Sequence, residues 1–387
     1  MKLSKKINDS LELKFSKIAR AMNKKKQIFY SLGLGEPNYQ TPKFIADEAY
    51  RSIRNGLTKY SSPIGDHILR KKIAEKLKKE NKINAKPDEI LISAGSKMSL
   101  YLTLLTLLQP KDHIIYISPC YTSYLPQILL SESNIKITSF DLNEEFKIDF
   151  KKLKKKIKKN TKAILINFPH NPTGQILKKN ELVEFKKILS RFKNCYLISD
   201  EIYKENIFSG DQHLSPASIK SISQRVITIS GFSKAFSMTG WRIGYSHANK
   251  EITSKMVKIQ QHILTNVPLF IQKAALKALI NKNNHLIKFN NLINKNHLYA
   301  SKVLERNKFF YFKKSFGGFF IFLKILKKNI SSDKFCTNLL KKHNVAVTPG
   351  KYFGKNFNSY IRISLSQDHL IFKKAIDLIN KFTDQLK

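Results

Sequence analysis

Glycine, cysteine and acidic side chains are all scarce in this 387-residue sequence, at 14, three and 28 residues. Proline adds only 12, and so little Gly plus Pro argues against a chain dominated by disorder. Cys120, Cys195 and Cys336 stand far apart with neither metal nor redox spacing, so no metal site is expected and a reduced, cytoplasmic setting fits. Nowhere do 18 apolar residues run together, which leaves no candidate membrane span. The stretch Met1 to Leu13 carries Lys, and Asp9 and Glu12 interrupt the apolar run that a signal peptide needs.

Lysine is what abounds. Seventy basic residues against 28 acidic ones give a formal charge of +42, which on its face suggests nucleic acid or an anionic surface. Only nine of the 70 are Arg, the Lys spread over nearly the whole length among many Asn and Ile, and no basic stripe with interleaved aromatics stands out. We read the charge as the imprint of an AT-rich coding sequence on solvated faces, and no nucleic-acid partner is expected. Each Arg becomes worth inspecting, because Lys cannot copy a bidentate grip on carboxylate or phosphate.

The length exceeds one hydrophobic core, so a large domain plus a smaller one is expected. Short β-branched runs at His113 to Ile117, Ala163 to Phe168, Tyr196 to Ser199 and Val226 to Ser230 read as buried parallel strands. Between them lie helical patterns such as Lys97 to Leu108 and Asn180 to Ser190, which makes the middle of the chain an α/β unit of βαβ type. The lysine-dense stretch Lys151 to Lys162 reads as the exposed side of a helix. A long helical pattern from about Ile252 to Leu304 precedes short strands around Gly318 to Leu326 and Tyr360 to Leu365, then a closing helix. The expected division is a large domain over 45–285 and a smaller α/β domain from 1–44 and 286–387.

Scarce glycine marks special backbone, and here it clusters in a few tight segments. In Ser230-Gly231-Phe232-Ser233-Lys234, followed by Met238-Thr239-Gly240-Trp241-Arg242-Ile243-Gly244, a lysine comes directly off a predicted strand with an arginine eight residues later. Such a lysine can lose its proton by desolvation or a cationic neighbour and attack a carbonyl, or it can merely sit near a turn. Asp200 ends another strand; it can pair with a protonated pyridine nitrogen or simply cap a following helix. Tyr203 lies one helical turn further. Asn171, in Asn167-Phe168-Pro169-His170-Asn171-Pro172-Thr173-Gly174, can donate an amide to a ring oxygen or belong to a plain turn; His170 beside it reads as structural or solvated. Gly95-Ser96-Lys97 leads from a strand at Ile90 to Ala94 into a helix, so its amides and the helix dipole point at an anion site. Arg362 lies in an apolar strand and needs a partner if buried, either a substrate carboxylate or an internal acid.

In this order, Gly35-Glu36-Pro37, Asn171-Pro-Thr-Gly174, Asp200-Glu-Ile-Tyr203, Ser233-Lys234 to Gly244 and the Arg362 strand resemble the class I and II pyridoxal-phosphate aminotransferases, the aspartate-aminotransferase-like group of fold type I. The resemblance covers roughly residues 30 to 370. It implies a mostly parallel seven-stranded sheet flanked by helices, pyridoxal 5'-phosphate as cofactor, and ping-pong transfer of an amino group between an L-amino acid and a 2-oxo acid. Glutamate and 2-oxoglutarate are the expected pair, with aspartate or broad specificity. By the same resemblance Lys234 would carry the cofactor and shuttle a proton, Asp200 would pair with the pyridine nitrogen, and Asn171 and Tyr203 would bond the ring oxygen. Tyr121 would stack on the ring, and Gly95, Ser96, Lys97, Ser233 and Arg242 would surround the phosphate. Tyr60 looks like the tyrosine that reaches the phosphate of the neighbouring subunit, implying a homodimer with shared sites. Arg362 would clamp the substrate α-carboxylate, with Gly35 closing over it.

Two features depart from the pattern. Gly231 stands where many relatives place a serine, so a phosphate contact is expected to shift to Ser233 or Ser230, and the segment before Gly33 lacks the pattern of the best-defined aspartate-specific members. A β-lyase of the same fold is the alternative. A regulator using this fold as a sensor would carry a DNA-binding module ahead of it, for which the roughly 30 residues before the first motif leave no room.

Overall fold

The computed structural model describes residues 29–386. In chain order the strands are β1 (Tyr30–Ser31), β2 (Ile90–Ser93), β3 (His113–Ser118), β4 (Lys136–Asp141), β5 (Thr161–Asn167), β6 (Tyr196–Asp200), β7 (Val226–Gly231), β8 (Gly244–His247), β9 (Phe310–Phe312), β10 (Phe320–Ile325), β11 (Val345–Ala346), β12 (Thr348–Pro349) and β13 (Tyr360–Ser364). Seven form the main sheet in the order β2-β8-β7-β6-β5-β3-β4, parallel except for β8, which runs antiparallel to both its neighbours.

The central strands are apolar residue after residue because both faces are covered. Ile114, Leu165, Ile198 and Ile227 pack on one side, with Leu100, Leu104 and Met256 from the helices Ser96–Leu107 and Lys250–Ile263. Their neighbours Ile115, Ile164, Leu197 and Val226 pack on the other side, with Phe185 and Ile188 from the helix Lys179–Arg191. The alternation is that of a pleated strand. All four buried parallel strands read from the sequence are present, as are the strands read at Ile90 to Ala94, Gly318 to Leu326 and Tyr360 to Leu365. The strand β4 escaped that reading because it is a sheet edge: Lys136, Ser139 and Asp141 face solvent and only Phe140 is buried.

Two helical readings need correction. The pattern from Ile252 to Leu304 is three helices, Lys250–Ile263, Leu269–Ile280 and Asn283–Leu304. Thr265 takes φ +67° and Pro268 opens the second helix, so the first cannot continue. The Lys151 to Lys162 stretch is helical only within Phe150–Lys156, and β5 has already begun at Thr161. Its apolar residues Leu153 and Ile157 are both buried, as their spacing suggested.

A second sheet, antiparallel in the order β12-β13-β10-β9, carries its own apolar layer: Ile321, Leu323, Ile361 and Ile363 meet Phe289 and Ile293 of the helix Asn283–Leu304 and Phe372, Ile376 and Ile379 of the closing helix His369–Asp384. The chain's beginning joins this layer, since β1 pairs in parallel with β11. Residues 1–28 of the expected smaller domain lie outside the described residues. Among the described residues no helix is long and apolar enough to cross a membrane.

In sequence β3 is followed by β4 on one side and then by β5 on the other, so the winding of the sheet reverses between β3 and β5. Strand ends beside such a reversal leave a crevice where ligands bind in open α/β sheets.

Candidate active site

The crevice is a cleft of about 1360 Å³, lined by Asn167 at the end of β5, Asp200 at the end of β6, Ser233 and Lys234 just past β7, Ser96 and Lys97 at a helix start, and Arg362 from β13. Five separate sequence segments therefore converge. Gly35, Tyr121, Asn171, Tyr203 and Arg242 line it too.

Lys234 sits in the turn after β7, half-buried, its Nζ donating to the Gly35 carbonyl at 2.7 Å. Burial, together with the Arg362, Arg242 and Lys97 charges and against the opposing Glu36, brings its ammonium down to about 8. A lysine in this setting carries its lone pair in an appreciable fraction of molecules near neutral pH, and in most of them above pH 8.

Asp200 is buried on the cleft floor. One oxygen accepts from the Tyr124 phenol at 2.7 Å and the other from the Ile202 amide at 3.2 Å, and among the described residues no ion pair neutralises it. Burial pushes its carboxyl up to about 6, against the pull of those two donors. No helix follows for it to cap; the chain passes into a turn that carries Tyr203. Tyr203 is 4 % exposed, burial holds its phenol above the ordinary range, and Asn171 Nδ2 donates to its oxygen at 3.4 Å.

Asn171 and Arg362 are joined directly. The guanidinium donates to Asn171 Oδ1 at 2.9 Å and to the Gly33 carbonyl at 2.7 Å, and lies over the rings of Phe320 and Phe353, 4.2 and 4.9 Å from their centroids. It is 6 % exposed, no carboxylate among the described residues pairs with it, and its Nε is buried with no hydrogen-bond partner. The internal ion pair that the sequence left open is therefore absent among the described residues. Burial pulls the group down to about 10, which leaves it a full cation facing the cleft.

At the other end, Gly95 takes φ +85° just before the helix Ser96–Leu107 and the Arg242 guanidinium packs against it; a Cβ there would stand 2.6 Å from Arg242 Nη2. Gly244 in β8 comes equally close, with a Cβ position 2.4 Å from the Ser96 amide nitrogen. The buried Gly95 spends its own amide on the Ser93 carbonyl at 2.7 Å and does not line the cleft, so the anion cup is the Ser96 amide at the helix start beside the Arg242 guanidinium. Ser233 is buried and lines the cleft, whereas Ser230 donates to the Glu201 carbonyl and does not, so of the two serines expected to replace a contact at Gly231 only Ser233 is available. Lys97 is exposed at the cleft wall with its Nζ 5.6 Å from the centroid of the Tyr121 ring. Tyr60 is 88 % exposed and does not line the cleft of its own chain. His170 is buried and bonded to Thr173, outside the lining.

Sequence reading missed Tyr124, Asn167, Thr348 and the two phenylalanines on Arg362. Asn167 donates to the Asp200 carbonyl at 2.8 Å and accepts the Asn171 amide at 3.0 Å, tying two strand ends together. Thr348 donates to the Gly33 carbonyl at 2.6 Å, beside the same guanidinium. Apart from the local Asn167–Asn171 bond, these contacts join separate segments of the chain, and no local pattern announces them.

The family model described as aminotransferase class I and II matches residues 27–377. An aspartate aminotransferase of Pyrococcus abyssi is 35 % identical over 92 % of each chain, and aromatic-amino-acid aminotransferase 2 of Thermococcus litoralis is 33 % identical over 92 % of each. The crystal structure of an aspartate aminotransferase from Thermotoga maritima superposes with a TM-score of 0.91 at 29 % identity, covering 99 % of this chain and all of that one.

Proposed function

The chain belongs to the class I and II aminotransferases and is a pyridoxal-phosphate-dependent transaminase, and from that premise we propose which of its residues do the work and on what. The cleft fits the cofactor: a carboxylate without a cation, a lysine with a weakened hold on its proton and an anion cup lie along one lining. The cofactor supplies an aldehyde for covalent attachment and a cationic ring that draws electrons from the substrate Cα.

Arg242, Ser233 and the Ser96 amide would hold the phosphate, with Gly95 giving the Arg242 guanidinium room to pack and Lys97 adding positive charge at the rim. Asp200 pairs with the pyridine nitrogen and keeps it protonated, which gives a buried acid the counter-charge it otherwise lacks. Asn171 and Tyr203 donate to the ring oxygen, and Tyr121 covers the ring face. Arg362 grips the substrate α-carboxylate through the face now left to its unpartnered Nε, while Gly35 closes over it. The stacked phenylalanines orient the guanidinium and exclude water around it. Lys234 would carry the cofactor and serve as the base that moves the proton at the substrate Cα; a positioned base of this kind contributes roughly 10² to 10⁴ in rate.

The observation that carries the reading is the meeting, in one cleft, of a destabilised ammonium at Lys234 and an un-neutralised buried carboxylate at Asp200. We assign as substrates L-amino acids with a free α-carboxylate and their 2-oxo acids, glutamate with 2-oxoglutarate as one pair and aspartate or a broader set as the other. The names of relatives on aspartate and on aromatic amino acids support that breadth. The division into 45–285 and 1–44 with 286–387 accords with the separate apolar layer under the second sheet. A homodimer sharing its sites through Tyr60, and residence in the cytoplasm, complete the proposal; the three buried free cysteines suit a reducing compartment.

A panel of amino donors against 2-oxoglutarate and pyruvate tests it, with the absorbance of the bound cofactor as readout. Parallel double-reciprocal lines and oxo-acid-dependent product are expected. Release of ammonia and pyruvate without an acceptor would contradict the assignment.

A further inference from the structure

Tyr124 opens the helix Tyr124–Ser131, three residues after Tyr121. Its ring is 2 % exposed and edge-on to Tyr121, the centroids 5.7 Å apart. Its phenol donates to Asp200 Oδ2 at 2.7 Å, a contact across 76 residues of chain, while Asp200 Oδ1 accepts the Ile202 amide. A carboxylate tied at both oxygens has one orientation, and of the two ties only the phenol comes from outside its own turn.

We propose that Tyr124 is a positioning residue for transamination: by donating to Asp200 it fixes that carboxylate as an anion against the cofactor's pyridine nitrogen, so that the shared proton stays on the ring. The inference rests on the assignment of Asp200 to that nitrogen. An acid and a pyridine in contact share one proton, and the side with the greater affinity keeps it. A hydrogen bond to the carboxylate stabilises the anion and lowers its proton affinity. In a dry site that bond is stronger than in water. Burial and the charge of Asp200 hold the phenol's own proton firmly, so Tyr124 is a donor throughout the working pH range. Without the hydroxyl, Asp200 keeps a single weaker donor, the proton moves toward the acid, and the ring loses the charge that makes it an electron sink.

The test compares native enzyme, Tyr124→Phe and Asp200→Asn, each loaded with pyridoxal phosphate carrying ¹⁵N in the ring. Tyr124→Phe keeps the ring and its packing and removes one oxygen. The ¹⁵N resonance is expected to move from the pyridinium position toward neutral pyridine in both variants. In Tyr124→Phe, kcat should fall on the order of tenfold, the scale of one hydrogen bond to a charged group, with KM for the amino donor within about twofold of native. A native ¹⁵N position in Tyr124→Phe together with a shifted one in Asp200→Asn overturns the role of Tyr124 alone. A native position in both variants overturns the assignment of Asp200 and this inference with it.

Discussion

In its proposed role Lys234 acts through a lone pair, and its surroundings set the pH at which it has one. With its ammonium lowered to about 8 by burial and by the Arg362 and Arg242 charges, capture of pyridoxal phosphate by cofactor-free protein should slow about tenfold per pH unit below that point and level off above it. Stopped-flow absorbance checks this, and a rate still climbing at pH 10 would show an unperturbed lysine. Arg362→Lys keeps the charge but loses the planar fork. Loss of a charge-assisted bond of ~1.5–3 kcal/mol should raise KM for the amino donor by roughly 10- to 100-fold while kcat changes less; an unchanged KM would remove Arg362 from the substrate. These two residues were legible in the sequence because glycine-marked turns and a lone Arg in an apolar strand are local signals. Tyr124 and Asn167 were not, since their meaning lies in partners 76 and 33 residues away.

The elements that place these side chains are held by close backbone contact as much as by apolar packing. Strand β8 runs against the direction of its neighbours and brings Gly244 to the first turn of the helix Ser96–Leu107. Any Cβ at Gly244 must push Ser96 or Gly95 aside, so Gly244→Ala is expected to weaken cofactor binding on the order of tenfold or more, by displacing the anion cup, and to lower thermal stability. Equilibrium dialysis against pyridoxal phosphate measures the first effect, and native affinity would mean the cup does not depend on that contact. Strands buried on both faces announced themselves as apolar runs, whereas β4, an edge with Lys136, Ser139 and Asp141 in solvent and no regular alternation, did not. The break of one long helical pattern into three helices turned on Thr265 and Pro268, where local backbone geometry overrides a periodicity that continues through them.

At the scale of the whole molecule, Tyr60, 88 % exposed and outside its own cleft, is proposed to serve the site of a second copy. Mixing Tyr60→Ala and Lys234→Ala chains, each impaired alone, should restore turnover, because a hybrid dimer holds one site with both residues intact. No recovery in mixtures shown to contain hybrids would contradict shared sites. The charge of +42 plays no part in this account and is spread over lysines that mostly face solvent. The proposal gives the cofactor to Lys234 alone, and that selectivity is directly measurable. Borohydride reduction of the pyridoxal-phosphate-loaded enzyme, followed by peptide mass mapping, should place the whole of the adduct on the peptide bearing Lys234. Adduct on another lysine, or a protein that stays colourless when saturated with the cofactor, would contradict the account.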